Sequence, residues 1–266
     1  MDIRTLISDR VDFSTAHKSE CAIKDFTNCK FCDNRNNKCL KSVALEAFTI
    51  GSDIDLKYLH NPSLCKLNPN LPGADKEAIK QVNKYRLNIA DCVASGNFNL
   101  LLASPKVGNG KTTGAISIGM RYIQEVAKEC LNRGNYMMRL PVLFVSWPEY
   151  VFERNLCYTD NKSYKGLYNG IYWRDYIELM KNAELLILDD IGCTNTNKTE
   201  LDTLYFIADY RYKNKKATIY TSNVDPGQLQ KLLGDRVYDR AFPQGTRIVV
   251  FKDNSHRKSA SITDLF

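Results

Sequence analysis

The sequence predicts an α/β protein built on a parallel sheet with crossover helices, with a small Cys-rich module in front of it. Three observations carry this reading. Past residue 98, short apolar runs alternate with stretches of helical periodicity, as expected of βαβ units. A glycine-containing loop ending in Gly110-Lys111-Thr112 lies between an apolar run and a helical stripe. Four cysteines crowd into residues 21 to 39, where periodicity is weak.

The turn-rich stretch Asn68-Pro-Asn-Leu-Pro-Gly73 reads as the end of a linker, because residues before proline are biased away from helix. The expected division is an N-terminal module over 1–66 and a core over 67–266. A helix follows, with Ile79, Val82, Tyr85, Ile89 and Val93 at helical spacing and Gly96 as its stop. The expected strands are Phe98 to Ser104, Val142 to Trp147, Leu185 to Asp189, Thr218 to Ser222 and Arg247 to Phe251. Nearly continuous apolar runs such as Leu185-Leu-Ile-Leu188 suit strands covered on both faces.

At 266 residues, with 44% hydrophobic and 25% charged residues, the chain matches a globular protein of two domains. No run approaches the roughly 18 apolar residues a membrane span needs. The opening MDIRTLISDRVDF is broken by charges before a signal-peptide core can form, so the cytoplasm is the expected location. A net charge of +7 permits an acidic polymer as partner without identifying one.

The chemistry begins at Ser104-Pro-Lys-Val-Gly-Asn-Gly-Lys-Thr-Thr113, followed by a helix with Ile116, Met120, Ile123 and Ala127 on one stripe. A phosphate-binding loop needs small residues so that backbone N–H groups can turn inward, a lysine that reaches the β- and γ-phosphates of ATP, and a hydroxyl for Mg²⁺. Gly108, Gly110, Lys111 and Thr112 fill those roles, with Asn109 and Thr113 beside them. Pro105 stands where the pattern expects its first glycine, which stiffens the outer turn.

Glu184-Leu-Leu-Ile-Leu-Asp-Asp-Ile-Gly192 is an apolar run that presents two acids at its C-terminal edge. Asp189 is expected to hold Mg²⁺ and Asp190 to polarise the attacking water, one methylene shorter than the more common Glu. Without the loop, the same pair would read as a helix cap. Ala217-Thr-Ile-Tyr-Thr-Ser-Asn223 ends in a polar trio in which Asn223 can orient that water; taken alone, Ser-Asn before Val-Asp-Pro is a turn. In Leu233-Gly-Asp-Arg-Val-Tyr-Asp-Arg240, Arg236 and Arg240 share one helix face. They can stabilise charge on a transferring phosphoryl group, in a neighbouring subunit's site or their own, or simply pair with Asp235 and Asp239.

Over about residues 75 to 257 these motifs resemble the bacterial helicase loaders of the DnaC and DnaI type, including their shorter phage relatives. The most specific strings are Val-Gly-Asn-Gly-Lys-Thr, Leu-Asp-Asp-Ile-Gly, Thr-Ser-Asn and Leu-Gly-Asp-Arg-Val-Tyr-Asp-Arg. The resemblance implies a P-loop AAA+ core with a five-stranded parallel sheet and a reduced or absent helical lid. It also implies an ATPase that opens or delivers a hexameric DnaB-like helicase onto single-stranded DNA in a bacterial or phage-infected cell, self-association through the ATPase domain, and Arg240 as arginine finger with Arg236 as second choice. The region before the core would grip the helicase. Two alternatives share the motifs: a transposition ATPase of the IstB type, and an ATP-binding adaptor that does not hydrolyse.

Cys21, Cys29, Cys32 and Cys39 are separated by seven, two and six residues. The central C-x-x-C suits tetrahedral Zn²⁺ at about 2.3 Å per thiolate, and a segment so polar needs a metal to fold. Free thiols are the alternative to zinc; His17 can replace one ligand, and an iron–sulfur cluster is a further reading the thiols allow. Cys65, Cys92, Cys130, Cys157 and Cys193 are scattered and read as ordinary semi-buried residues. Between the second strand and Glu184, aromatic and basic residues interleave. Lys162, Tyr164, Lys165, Tyr168 and Arg174 could contact single-stranded DNA, or form a Tyr-rich loop on the core.

Overall fold

A computed structural model describes residues 40–70, 74–96, 98–133, 139–159, 167–168, 171–193 and 197–252. The chain enters through α1 (Leu40–Gly51), the single turn α2 (Lys57–His60) and a 3-10 turn over Pro62–Cys65. Helices α3 (Lys76–Leu87) and α4 (Ile89–Ala94) lead into β1 (Asn99–Ala103) and the long α5 (Lys111–Arg133). Then come β2 (Val142–Ser146), α6 (Trp147–Thr159), a small hairpin of β3 (Leu167–Tyr168) and β4 (Ile171–Tyr172), and α7 (Trp173–Asn182). The chain continues through β5 (Leu185–Asp189), α8 (Lys198–Lys213), β6 (Ala217–Ser222), α9 (Pro226–Ala241) and β7 (Arg247–Val250).

The five expected strands form one sheet in the order β2, β5, β6, β1, β7, with every neighbouring pair parallel. This is the α/β architecture of a P-loop core of the AAA+ type. Strand ends fall within a residue of expectation; Trp147, expected to end β2, instead opens α6. Among the described residues no helix follows β7.

Alternate residues of each strand feed two cores, because successive side chains point to opposite faces. Leu100, Leu102, Ile187 and Ile219 pack under α1, α3 and α5, while Leu101, Ala103, Leu188 and Tyr220 pack under α6 to α9. The sheet is therefore covered on both sides, which explains the unbroken apolar runs.

Two expectations change. The helix read through Val93 is broken at Asn88 (φ −108°), whose Nδ2 donates to the Lys84 carbonyl at 2.8 Å. An Asn side chain that competes for a backbone carbonyl in this way favours termination over continuation. Secondly, Ala44, Phe48, Ile54 and Leu59, grouped by composition with the N-terminal module, share a core with Ile118 and Ile123 of α5. The boundary drawn at residue 66 thus crosses a packed region. The carbonyl of Ser52 also accepts the Phe144 N–H of edge strand β2 at 2.9 Å.

One buried cation ties the second layer to the sheet. Arg211 donates to the carbonyls of Met180 (2.7 Å), Ala183 (2.9 Å) and Ala217, and to Thr218 Oγ1 at 2.9 Å. It thereby caps the end of α7, where unpaired carbonyls attract a cation. Burial pulls its guanidinium down to about 9, still charged at neutral pH.

Candidate functional site

The functional side chains gather where β1, β5 and β6 end, at the C-terminal edge expected to bind ligands in an open parallel sheet. Ser104 extends β1 by donating its N–H to the Ser222 carbonyl at 3.1 Å, so the loop begins anchored to β6. Gly108 (φ 78°) and Gly110 (φ 94°) take left-handed backbone conformations that a side chain would oppose. Asn109 holds the turn from inside: its Nδ2 donates to Ser104 Oγ, and its Oδ1 accepts Lys111 Nζ at 3.1 Å. Lys111 Nζ also donates to the Lys106 carbonyl at 3.0 Å. Only 4% of Lys111 is exposed, so its ammonium is fixed at the head of α5.

The two acids have different surroundings. Asp189 is buried; its Oδ1 accepts Thr221 Oγ1 at 2.7 Å and its Oδ2 accepts Thr112 Oγ1 at 3.2 Å. Burial pushes its carboxyl above the ordinary value against the opposing pull of the Thr221 hydroxyl, with the Asp190 charge adding to the rise. Asp190 sits at φ 60°, a region a non-glycine residue occupies when neighbours hold it there. Its N–H donates to Thr221 Oγ1 at 2.9 Å, and its Oδ1 accepts Asn223 Nδ2 at 2.6 Å.

These groups border a cleft of about 480 Å³ lined by loop residues 107–113, Asp190 and Asn223. Lys66, Leu67, Asn68 and Ile79 complete its lining. Leu67 comes so near the loop that a Cβ on Gly110 would stand 3.0 Å from its Cδ2. The cleft joins a polar, N–H-rich loop to the apolar side chains of Leu67 and Ile79, which suits a phosphate-bearing molecule with a flat apolar end. The residues also suit a divalent cation: a carboxylate kept from water, with a hydroxyl beside it, is the sparse protein contribution expected for Mg²⁺. Among the described residues no group of three or more His, Cys, Asp or Glu forms a metal cluster.

Of the residues singled out in the sequence, Gly108, Asn109, Gly110, Lys111, Thr112, Thr113, Asp190 and Asn223 line this cleft, and Asp189 touches it through Thr112. Arg236 and Arg240 do not line it. They lie on the C-terminal half of α9, past a break at Gly234 (φ 72°), and face α8. Arg236 stacks over the Tyr205 ring at 4.2 Å, and Arg240 pairs with Asp209 at 3.1 Å, with Tyr212 nearby. Their guanidiniums lower the Tyr205 phenol below its ordinary value.

Cys21, Cys29, Cys32, Cys39 and His17 lie outside the described residues, as do Lys162, Tyr164 and Lys165. Tyr168 belongs to β3, and Arg174 stands over the Trp173 ring at 5.2 Å. Cys193, expected to be semi-buried, is exposed, and its Sγ lies 3.5 Å from Asn223 Nδ2. The sequence motifs include Thr221 and Ser104 but assign neither a role; the structure shows that they orient Asp189 and the loop. Their signal was a hydroxyl inside or just after an otherwise apolar strand.

Removing the Asp189 charge separates stability from binding. A carboxylate raised by burial costs stability that is absent below its unfolded value of 3.8 and grows as pH rises through its folded value. Asp189→Asn should therefore be as stable as the parent or up to about 1 kcal/mol more stable at neutral pH, with Mg-dependent nucleotide binding lost. Urea unfolding and nucleotide titration on the same sample check both halves.

The fold and the cleft define a P-loop protein with an AAA+-type core. In sequence, the chain is 33% identical over 78 residues to the replicative helicase loader DnaC of Escherichia coli K12, which covers 29% of this chain and 32% of the loader. The match thus spans about a third of the length of that relative. The chain is also 26% identical over 205 residues to an uncharacterized protein, YdaV, of the same organism, covering 76% and 73% of the two chains. A putative primosome component from Streptococcus pyogenes shares the fold, with a TM-score of 0.50 at 18% identity over 77% of this chain and 93% of that one. No family model matches. The resemblance to helicase loaders of the DnaC type, expected from the motifs, is shown by these relatives.

Proposed function

We propose that the chain is an ATP-driven loader or remodeller of a hexameric DnaB-like replicative helicase, acting on single-stranded DNA in the cytoplasm of a bacterial or phage-infected cell. The observation that carries the ATPase part is the convergence of Lys111, Thr112, Asp189, Asp190 and Asn223 on one cleft from three separate strand ends. The match to DnaC supports the loader part.

In this reading the loop N–H groups and Lys111 bind the β- and γ-phosphates, the ammonium exchanging its two loop oxygens for phosphate oxygens. Thr112 and Asp189 would hold Mg²⁺, which would supply positive charge to the triphosphate. Asp190, turned into the cleft by its left-handed backbone and fixed by Asn223, takes the proton of the attacking water. Leu67 and Ile79 receive the base. Arg240, with Arg236 beside it, acts on the site of an adjacent subunit, since neither reaches its own. The four cysteines bind zinc and form the grip on the helicase; this part rests on their spacing in the sequence.

The test is co-elution of the purified full chain with the DnaB-like helicase of its own host, with and without ATP, and with Cys29 and Cys32 changed to Ser. A complex that forms with the parent and is lost in the cysteine variant supports loader and grip together. If no complex forms under any nucleotide condition, the loader reading fails and the transposition-type ATPase takes its place.

A further inference from the structure

Several lysines on other helices pair with carboxylates one turn away, although among the described residues Lys198 and Lys231 do not. Lys128 pairs with Glu125 at 3.2 Å, Lys181 with Glu178 at 2.7 Å and Lys213 with Asp209 at 2.6 Å. Helix α3 departs from this pattern. Its lysines at positions 76, 80 and 84 are all exposed, and among the described residues none of the three makes a side-chain ion pair or hydrogen bond. The sole acid in the helix, Glu77, accepts instead from Gln81 at 3.4 Å.

Spacing of four places the three ammonium groups in one row, about 6 Å apart along the helix axis. The row borders an open groove of about 710 Å³ with Pro69, Ile79 and Leu87 as its apolar part. Ile79 also lines the nucleotide cleft, so the two sites are neighbours. The helix is held firmly for such use. Asp75 caps it by accepting Ala78 N–H at 2.9 Å and ties it to the end of the sheet by accepting Lys252 N–H at 3.0 Å.

We infer that the Lys76, Lys80 and Lys84 row on α3 is a binding surface for the phosphate backbone of single-stranded DNA, separate from the aromatic and basic stretch around Tyr164. A row one cation wide, with a step close to the separation of successive phosphates, fits one backbone, whereas a duplex presents two across a groove. The absence of aromatic rings from the groove makes the contact sequence-independent, since nothing there stacks on or reads a base. Lysine point charges suit such a role: they follow a mobile backbone without the fixed fork of arginine. The inference deepens the proposed function and rests on it only for the presence of the strand.

The test uses the full chain and fluorescein-labelled oligodeoxythymidylate, titrated between ~50 and ~200 mM salt. One variant carries Lys76→Gln, Lys80→Gln and Lys84→Gln. A charge-matched control carries Lys57→Gln, Lys128→Gln and Lys213→Gln, each of which has a carboxylate partner in the structure. The row variant should lose roughly tenfold or more in affinity at the lower salt, and its log–log salt slope should fall by about 2, from ~0.7 per phosphate contact. The control should keep both. Equal behaviour of the two variants, a greater loss on a labelled hairpin duplex titrated in the same way than on the single strand, or no strand binding by the parent overturns the inference. Nucleotide titration and helicase co-elution on the row variant keep the two readings apart: if both are retained while strand binding matches the control, the row fails and the loader reading stands.

Discussion

Lys111→Ala should lower nucleotide affinity on the order of 10²-fold and take turnover below detection. The ammonium stands at the N-terminus of α5 and donates to two loop oxygens, Lys106 O and Asn109 Oδ1. Charge-assisted hydrogen bonds contribute about 1.5–3 kcal/mol each, and each 1.4 kcal/mol is tenfold in affinity. Losing the ammonium's contacts to two phosphates, partly offset by water entering the gap, therefore gives the stated factor. Fluorescent-nucleotide titration measures it, and a thermal unfolding midpoint within a few degrees of the parent shows that the loop, held by Ser104 and Asn109, stays folded. Undiminished affinity would mean that the cleft takes some other ligand.

Asp190→Asn should leave nucleotide affinity within a few-fold of the parent and cut turnover by roughly 10²–10⁴, the range supplied by a positioned general base. The substitution is mild in every other respect. Asn is among the residues that tolerate the left-handed conformation at φ 60°, and its Oδ1 can still accept Asn223 Nδ2. What is lost is the ability to accept a proton. Phosphate release under saturating nucleotide, with and without helicase, reads the effect. Equal turnover in parent and variant would remove Asp190 from the chemistry, and turnover absent from both would favour the adaptor without hydrolysis.

Those two variants were nameable from the sequence because the loop and the acid pair are local patterns whose chemistry dictates their spacing. The strands were equally legible: a run such as Leu185-Leu-Ile-Leu188 buried on both faces needs no partner to be recognised. The role of Thr221 was not, because its partner Asp189 is 32 residues away and only the parallel pairing of β5 with β6 brings them together. The lining at Leu67 and Ile79 was hidden for the same reason; each is an unremarkable apolar residue until the chain folds back over Gly110. The break at Asn88 was missed because apolar spacing continues through it into α4, so periodicity alone could not reveal the side chain that ends α3. Arg236 and Arg240 were correctly read as sharing a face, yet their partners on α8 were not foreseeable, since Tyr205, Asp209 and Tyr212 follow no recognisable motif.

The Ser52 carbonyl that receives an amide of β2, and the burial of Ala44, Phe48, Ile54 and Leu59 against α5, bear on how this chain can be divided. Cutting at residue 66, where composition changes, would bare a strand edge and an oily stripe on the helix that carries Lys111. Exposed edges and apolar patches of that sort promote self-adhesion. A piece able to stand alone in water therefore has to keep residues 44–59, which lie on the N-terminal side of the compositional boundary yet belong to the packed core of the sheet domain.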